Sequence, residues 1–256
     1  RSVLTNEGKQ LVGDSLFYDR NKSFGEAFDN VVFTDTINKN QLTGNYCYYN
    51  EQTKYAIATD SAMVVDYSQG DSLFLHGDTL QLLTFFLDTD SMYRETRAYH
   101  KVRFFRTDIQ GVCDSLVFSQ KDTCLTMYRD PILWNGNQQL LGEEVMIYMN
   151  DSTIDWAHIH NQTLSVEKLD TTNYNQVSGK DMKAYFKDGE MYKVDVIASV
   201  RVIYYPMEKD STLMGMNVME GGELNMYLEN RKLTRGVMFP QPKGTFYPMD
   251  QIPPKA

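Results

Sequence analysis

The amino-acid sequence predicts an all-β protein made of about seven repeats, each with two antiparallel strands. Three observations predict it: a glycine that recurs every 31 to 37 residues, apolar residues that alternate after most of these glycines, and short polar turns between the alternating segments. A fixed period of this size is typical of stacked structural units. No segment of the sequence shows the sustained 3.6-residue spacing of an amphipathic helix.

The recurring glycine ends a triplet that begins with Leu, Ile or Val. These glycines are Gly13, Gly44, Gly77, Gly111, Gly142, Gly179 and Gly215. Their spacings are 31, 33, 34, 31, 37 and 36 residues. In the seventh copy the better match to the following strand comes only after Gly221 and Gly222, so we expect that unit to depart from the pattern.

The first strand of each repeat follows the glycine. Apolar residues stand three and five positions beyond it, which is the alternation of a strand with one buried face. In the fourth copy the equivalent pair is shifted by two residues. The pairs are Leu16 and Tyr18, Cys47 and Tyr49, Leu80 and Leu82, Leu116 and Phe118, Val145 and Ile147, and Met182 and Ala184.

A polar turn and a second alternating strand complete each repeat. Turns such as residues 19–22 and 50–53 suit hairpins, whereas parallel neighbours need crossovers of a dozen or more residues. The sheet should therefore be antiparallel, with roughly fourteen strands. The alternating residues of the second strands are Ala27, Val31 and Phe33; Ala58, Ala62 and Val64; Ala98, Val102 and Phe104; Ile132 and Trp134; and Val196, Val200 and Val202.

The repeat defines the expected domain organisation. We expect residues 1–10 to form an irregular lead-in, residues 11–239 to form the repeat domain, and residues 240–256 to form a Pro-rich C-terminal tail. Proline has no backbone N–H and cannot continue a ladder, and a repeat array needs an atypical segment to cover its last edge.

Composition excludes several classes of protein. The chain has 25 basic and 34 acidic residues, for a net charge of −9, which argues against a nucleic-acid partner. No run approaches the roughly 18 apolar residues of a membrane-spanning helix. The three cysteines, Cys47, Cys113 and Cys124, include no CxxC pair and do not predict a disulfide framework.

Few residues point to catalysis or to a cofactor. His158 and His160 would share one face of a strand and could offer two metal ligands. Asp155 lies off that face and no other ligand is evident, so solvent-facing histidines are the favoured interpretation and we expect no metal and no cofactor. The sequence has no Gly-x-Ser-x-Gly, phosphate-binding loop or HExxH motif, and most Asp residues fall in predicted turns. We do not expect an enzyme.

The Gly-punctuated strand pairs resemble the OstA/LptA family, most closely the OstA-like lipopolysaccharide-transport proteins of Bacteroides-type bacteria. The segments that carry the resemblance are residues 13–18, 27–33 and 42–46, within a match over about residues 11–205. The resemblance implies an elongated, twisted antiparallel β-jellyroll, shaped like a taco and open along one side and at both ends. It also implies a place in the periplasm of a Gram-negative bacterium, associated with the outer membrane. The implied partners are lipopolysaccharide, bound through its lipid A acyl chains, and other Lpt-type jellyroll proteins or further copies of the chain, joined by end-strand pairing.

In that interpretation the inward alternating residues form the lipid-binding face. A buried acyl chain gains about 0.8 kcal/mol per CH₂, so such a face needs no charged anchor. Lys101, Arg103 and Arg106 are the candidates for contact with anionic headgroups. The expected inner-face residues are Leu16, Tyr18, Val31, Phe33, Tyr49, Val64, Leu80, Leu82, Val102, Phe104, Leu116, Phe118, Ile132, Trp134, Val145 and Ile147.

A second hypothesis explains the same alternation. These residues would fill the closed core of a structural or adhesive β-repeat protein of the cell surface, with no lipid ligand. Alternation predicts an inner face in both cases and does not distinguish a filled interior from an open one.

Overall fold

The computed structural model describes residues 1–6, 8–68, 71–107, 109–150, 153–208, 210, 212–230 and 232–252. These residues form 21 β-strands and one short 3-10 helix, η1. Neighbouring strands pair in the antiparallel sense, so the predicted all-β antiparallel fold is confirmed. The chain divides into two compact units, Arg1–Arg129 and Asp130–Ala256, which we call unit 1 and unit 2. Within the described residues no helix is both long enough and apolar enough to cross a membrane.

Unit 1 is a meander. From β3 to β10 each strand pairs with the next, while β1 pairs with β2 and β2 joins β4 beside β3. The strands are β1 Ser2–Asn6, β2 Lys9–Gly13, β3 Ser15–Asp19, β4 Phe24–Asp35, β5 Asn40–Asn50, β6 Tyr55–Asp66, β7 Leu73–Phe85, β8 Tyr93–Phe105, β9 Gln110–Ser119 and β10 Cys124–Tyr128.

Unit 2 has more interrupted strands. One ladder runs through β13, β14, β17, β18, β19 and β20, and a second runs through β11, β12, β15, β16, β18, β19 and β21. Strands β18 and β19 belong to both. The elements are β11 Ile132–Asn135, β12 Gln138–Leu141, β13 Glu144–Asn150, β14 Thr153–His160, β15 Thr163–Lys168, β16 Tyr174–Gly179, β17 Asp181–Lys187, β18 Glu190–Tyr204, β19 Gly215–Glu229, β20 Lys232–Phe239, β21 Lys243–Pro248 and η1 Met249–Gln251.

Long strands of unit 1 are bent by a bulge near their middle. In β4 the register passes from Phe28 opposite Tyr46 to Val31 opposite Gly44, so β4 carries one residue more than its neighbour. The two residues between have positive φ, and β6 and β8 repeat the arrangement against both of their neighbours. A bulge bends the strand and increases its twist. We call each such site a corner; the pairs of residues with positive φ are Asp29 and Asn30, Asp60 and Ser61, and His100 and Lys101.

The repeated glycine lies beside the corner. A Cβ atom on Gly44 would lie 3.1 Å from the carbonyl oxygen of Thr59, the residue just before the positive-φ pair of β6. Gly13 and Gly77 have the same relation to the oxygens of Phe28 and Tyr99, at 3.3 and 3.4 Å. The predicted repeat therefore has a physical basis at Gly13 and Gly44, because a side chain there would crowd a backbone oxygen of the bent strand, while at Gly77 the contact would be an ordinary one.

The corner recurs in unit 2 with its own hydrogen bonds. Lys180, which follows Gly179, donates its N–H to the carbonyl oxygens of Ile197 and Ala198 at 3.0 and 2.9 Å. Ala198 and Ser199 are a positive-φ pair within β18. A similar pair separates β14 from β15, and interruptions at corners explain why the structure has more than the fourteen strands expected.

Two of the seven predicted glycines are not at corners. In the fourth repeat the residue opposite Val102 is Cys113 and not Gly111, which explains the two-residue shift of the following strand. In the seventh, Val200 pairs with Gly221, whereas Gly215 pairs with Pro248. The triplet pattern alone does not reveal where the bulge falls.

The core is concentrated at the corners. The inward residue two positions before each positive-φ pair and the one directly after it are 0–2% exposed. Small side chains on the inside of the bend let the strands approach closely without voids. In unit 1 these residues are Ala27, Val31, Ala58, Ala62, Ala98 and Val102; in unit 2 they include Ile159, Thr163, Val196 and Val200.

The two ends of the chain differ from expectation. Residues 1–10, expected to be irregular, contain β1 and the start of β2, which pair from Ser2 opposite Gly13 to Asn6 opposite Lys9. The segment expected to be a tail contains β21, which pairs with β19 and ends at Pro248. Proline is tolerated there because a residue at the end of an edge strand need not donate to a ladder. Residues 253–256 lie outside the described residues.

Candidate lipid-binding face

The inward residues of unit 1 form continuous rows across the strands. We call the side that carries Ala27, Ala58 and Ala98 the inner face. Two rows border the corner: Leu16, Ala27, Cys47, Ala58, Leu80, Ala98, Leu116 and Met127 on one side, and Val31, Gly44, Ala62, Gly77, Val102 and Cys113 on the other. One further row lies on each side, which we call the arms: Tyr18, Gly25, Tyr49, Ala56, Leu82, Thr96, Phe118 and Leu125, and Leu11, Phe33, Leu42, Val64, Leu75, Phe104 and Gly111.

No charged side chain interrupts these four rows. Charges begin at the strand ends, where Lys9 pairs with Asp35 at 3.8 Å. The Asp35 carboxylate also accepts hydrogen bonds from the backbone N–H and the side-chain amide of Asn38. These bonds hold the pKa of Asp35 below its ordinary value. The apolar face therefore has a polar boundary at this end of the strands.

Exposure changes along the inner face. Leu80, in a corner row, is 5% exposed, whereas Tyr18 and Tyr49, on an arm, are 49% and 42% exposed. Leu82 and Phe104, also on the arms, are half-buried. Side chains of the same face are thus buried at the corner and partly exposed on the arms.

The structure brings together the predicted residues of unit 1. All lie on the inner face as defined by the register. Their role in lipid binding remains a prediction. They are Leu16, Tyr18, Val31, Phe33, Tyr49, Val64, Leu80, Leu82, Val102, Phe104, Leu116 and Phe118.

In unit 2 the predicted residues divide between two faces. Val145 and Ile147 are 0% and 6% exposed, on the side that carries the buried residues of β14 and β17. Ile132 and Trp134 instead lie on the face opposite to Leu133, which is 7% exposed and pairs with Leu140. The prediction that Ile132 and Trp134 face inward is therefore wrong by one residue, because Leu133 faces inward instead.

The reason for this correction is local. Arg129 and Asp130, just before β11, have positive φ, and Pro131 after them is fully buried. The inward alternation therefore starts at Pro131 and continues at Leu133. Nothing in the sequence marks that bend, because the strand pattern alone fits either parity.

The three headgroup candidates do not share one position. Lys101 is the second corner residue of β8, and its ammonium lies 3.7 Å from the carboxylate of Asp78. Arg103 is opposite His76 and points away from the inner face. Arg106 follows the end of β8, and its backbone N–H donates a hydrogen bond to the carbonyl oxygen of Ile109 at 2.9 Å. Of the three, only Arg106 lies at a strand end.

The cysteines are unpaired thiols. Burial raises the pKa of Cys47 to about 11 and that of Cys113 to about 12. Both are therefore neutral near pH 7 and serve as small apolar side chains of the inner face.

A polar cluster lies on the other side of unit 2, and its two histidines, but not its carboxylate, were predicted to share a face. His158 and His160 share the face of β14 opposite to Ala157 and Ile159, and Asp181 at the start of β17 joins them. Oδ1 of Asp181 lies 2.5 Å from Nδ1 of His160 and 3.4 Å from Nε2 of His158. The spacing of the two histidines was visible in the sequence, but the pairing of β14 with β17 that supplies the carboxylate was not.

The cluster changes the acid–base properties of its members. Burial raises the pKa of Asp181, but the hydrogen bonds from His160 and from the backbone N–H of Asn161 outweigh burial, so the pKa falls below its ordinary value. Burial lowers the pKa of His158. An ionised carboxylate therefore lies beside a largely neutral imidazole near pH 7.

Comparison with solved structures finds partial likenesses. The fold resembles the crystal structure of LptH from Pseudomonas aeruginosa, described as the LptA-homologous periplasmic component of the lipopolysaccharide transport device. The match covers 47% of this chain and 82% of LptH, with 14% sequence identity and a TM-score of 0.38. No protein-family model and no curated protein matches the sequence.

Proposed function

We propose that the chain binds the acyl chains of a lipid on the inner face of unit 1 and acts as a periplasmic carrier of lipopolysaccharide toward the outer membrane. The observation that carries the proposal is an uninterrupted apolar face that runs across β3 to β10 and stays partly open on its arms. The repeat resemblance to the OstA/LptA family supports lipopolysaccharide as the lipid.

The physical chemistry of the face suits an acyl chain. Each CH₂ group removed from water contributes about 0.8 kcal/mol, so a long chain can be held without a charged anchor. Tyr18, Tyr49 and Phe104 offer large apolar areas on the arms, beside the buried residues of the corner. The absence of charge from the four rows removes the desolvation cost that a charged group would impose.

The edges of the sheets support the proposed protein partners. Within the described residues, β1 pairs with β2 alone and β3 pairs with β4 alone, and Val3, Leu4 and Phe17 on them are 58%, 61% and 50% exposed. Strands β20 and β21 of unit 2 each pair with β19. An open edge can add a strand from a second jellyroll domain or from another copy of the chain.

The second candidate function, a structural or adhesive β-repeat protein, is favoured by the corner rows. Residues such as Ala62 and Ala98 are 0% exposed, as in a filled core. This candidate predicts that the arms are also filled or covered in solution and that no lipid enters.

Photo-cross-linking separates the two. A photoreactive residue at Phe104 lies on an arm, and one at Arg103 lies on the same strand but on the opposite face. With lipopolysaccharide, we expect adducts at position 104 and few at position 103. Equal adducts at both positions, or none at position 104 while the protein remains folded, would contradict the proposed function.

A further inference from the structure

The outer face of unit 2, opposite to Ala157 and Ile159, presents three metal-ligating groups at one point. Two imidazoles come from β14 and one carboxylate from β17, and their donor atoms all lie within 4.8 Å of one another. Among the described residues this is the one group of three or more such side chains that close. A strand spacing of two places His158 and His160 on the same face, and the β14–β17 ladder places Lys183 opposite His158 and Asp181 beyond it.

One member of the cluster lacks a hydrogen bond. Nε2 of His158 is buried and, in the part of the chain that the structure describes, has no partner with hydrogen-bond geometry, although Oδ1 of Asp181 is 3.4 Å away. Buried nitrogen atoms are nearly always satisfied by a partner, and each exception requires an explanation. Oδ1 of Asp181, the oxygen that could accept a hydrogen bond from Nε2 of His158, already forms one with Nδ1 of His160.

We propose that His158, His160 and Asp181 bind one divalent transition-metal ion of the Zn²⁺ type on the outer face of unit 2. Zn²⁺ binds imidazole nitrogen at about 2.0–2.1 Å and carboxylate oxygen at about 2.0–2.2 Å, which places tetrahedral donors about 3.3 Å apart. The separation of His158 Nε2 and Asp181 Oδ1 already fits, and His160 has to withdraw by less than about 1 Å. Its side chain is 43% exposed and has room to turn.

The donor set defines the class of ion. Two imidazoles and one carboxylate, with no thiolate, suit Zn²⁺ and its first-row neighbours, whereas Mg²⁺ and Ca²⁺ require mainly oxygen ligands. Glu144 lies opposite His160 and adds a second negative charge, which balances Lys183 opposite His158. Three protein ligands leave one coordination position for water or for an anionic oxygen.

Calorimetric titration of the full chain, without a histidine tag, tests the site. We expect one Zn²⁺ per chain and no binding of Mg²⁺. His158→Gln, His160→Gln and Asp181→Asn should each weaken Zn²⁺ binding by about tenfold or more, since even the loss of an outer hydrogen-bond partner costs about 10- to 100-fold. Because the ligands lie on two strands, Zn²⁺ should also raise the melting temperature of the wild type by about 5 °C at saturation and leave Asp181→Asn unchanged.

His100→Gln is the matched control. Nδ1 of His100 lies 3.5 Å from Oδ1 of Asp114, so it forms a histidine–carboxylate pair without a second imidazole. This variant should bind Zn²⁺ as the wild type does. Fewer than one Zn²⁺ per chain, or equal weakening in His100→Gln and Asp181→Asn, would overturn the proposal, and circular dichroism of each variant separates loss of ligand from loss of fold.

Discussion

The corner and the arms of the inner face belong to the same strands but differ in exposure. Ala27, Ala62 and Val102 at the corner are 0–1% exposed, while Tyr18 and Tyr49 on the arm are 42–49% exposed. Close packing at the corner can hold the bend of the sheet, whereas side chains on the arms are partly exposed. The difference teaches that one type of alternation produces two environments, a buried one near the bulge and a partly exposed one away from it, where we propose that the lipid binds.

The largest expected effect is on stability at the corner. Leu80→Ala removes a side chain that is 5% exposed and should lower the free energy of unfolding by about 2–5 kcal/mol. Leu82→Ala, two residues along β7 on the arm, should cost only about 1 kcal/mol because its side chain is half-buried. Urea unfolding measures both, and equal losses would remove the distinction between corner and arm.

Lipid binding should depend on the inner face of the arm and not on the opposite face of the same strand. Tyr18 and Phe17 are adjacent on β3, 49% and 50% exposed, and point to opposite faces. Tyr18→Asp places a charge on the apolar path and should weaken binding of lipopolysaccharide by about tenfold or more, whereas Phe17→Asp should leave it unchanged. Displacement of a fluorescent lipid provides the measurement. A stronger effect of Phe17→Asp than of Tyr18→Asp would place the lipid on the opposite face of β3 and contradict the proposed function.

Glycines at the corner and on the arm should also differ. A Cβ at Gly44 would lie 3.1 Å from the Thr59 oxygen, while at Gly25 the nearest atom is 3.5 Å away. Gly44→Ala should destabilise the protein by about 1 kcal/mol. Gly25→Ala should be neutral or stabilising by about 0.4–1 kcal/mol, because it restricts the unfolded chain. Thermal unfolding of both variants tests this, and a costly Gly25→Ala would show that the arm is as tightly packed as the corner.

The smallest effect is a pH dependence at the polar boundary of the arm. Hydrogen bonds from Asn38 lower the pKa of Asp35, so this carboxylate stabilises the folded state above its ordinary pKa of 3.8. That stabilisation is lost as the pH falls through the lowered pKa of the folded state. Asp35→Ala should therefore be less stable than the wild type at pH 7 and approach it below pH 3.8 in urea unfolding. A difference that is constant with pH would rule out the charge of Asp35 as its source.

Much of the inner face could be predicted from sequence because alternation is a local property. The residues three and five positions after Gly44, Cys47 and Tyr49, lie on the inner face as expected. Parity across a bulge is different: Ile132 and Leu133 are both apolar, and only the bend before Pro131 decides which one faces inward.

Long-range pairing limits prediction more severely. Asp181 reaches His160 because β17 pairs with β14 rather than with β16, and no local pattern indicates this choice. The glycine of the fourth repeat was misplaced for a similar reason, since Cys113 and not Gly111 lies opposite Val102 at the corner of β8. Sequence periodicity thus predicted the antiparallel strands and their inner face in unit 1, while the breaks in the strands, the parity of β11 and the contacts between distant strands came from the structure.

The most direct test of lipid binding on the arms is nuclear magnetic resonance of the wild-type protein. The added lipid carries a spin label at the end of an acyl chain. The proposed function predicts strong broadening of the Tyr18, Tyr49 and Leu82 signals, and little change at Phe17 and Tyr48 on the other face. Broadening confined to Phe17 and Tyr48, or none at saturating lipid, would contradict binding on the arms.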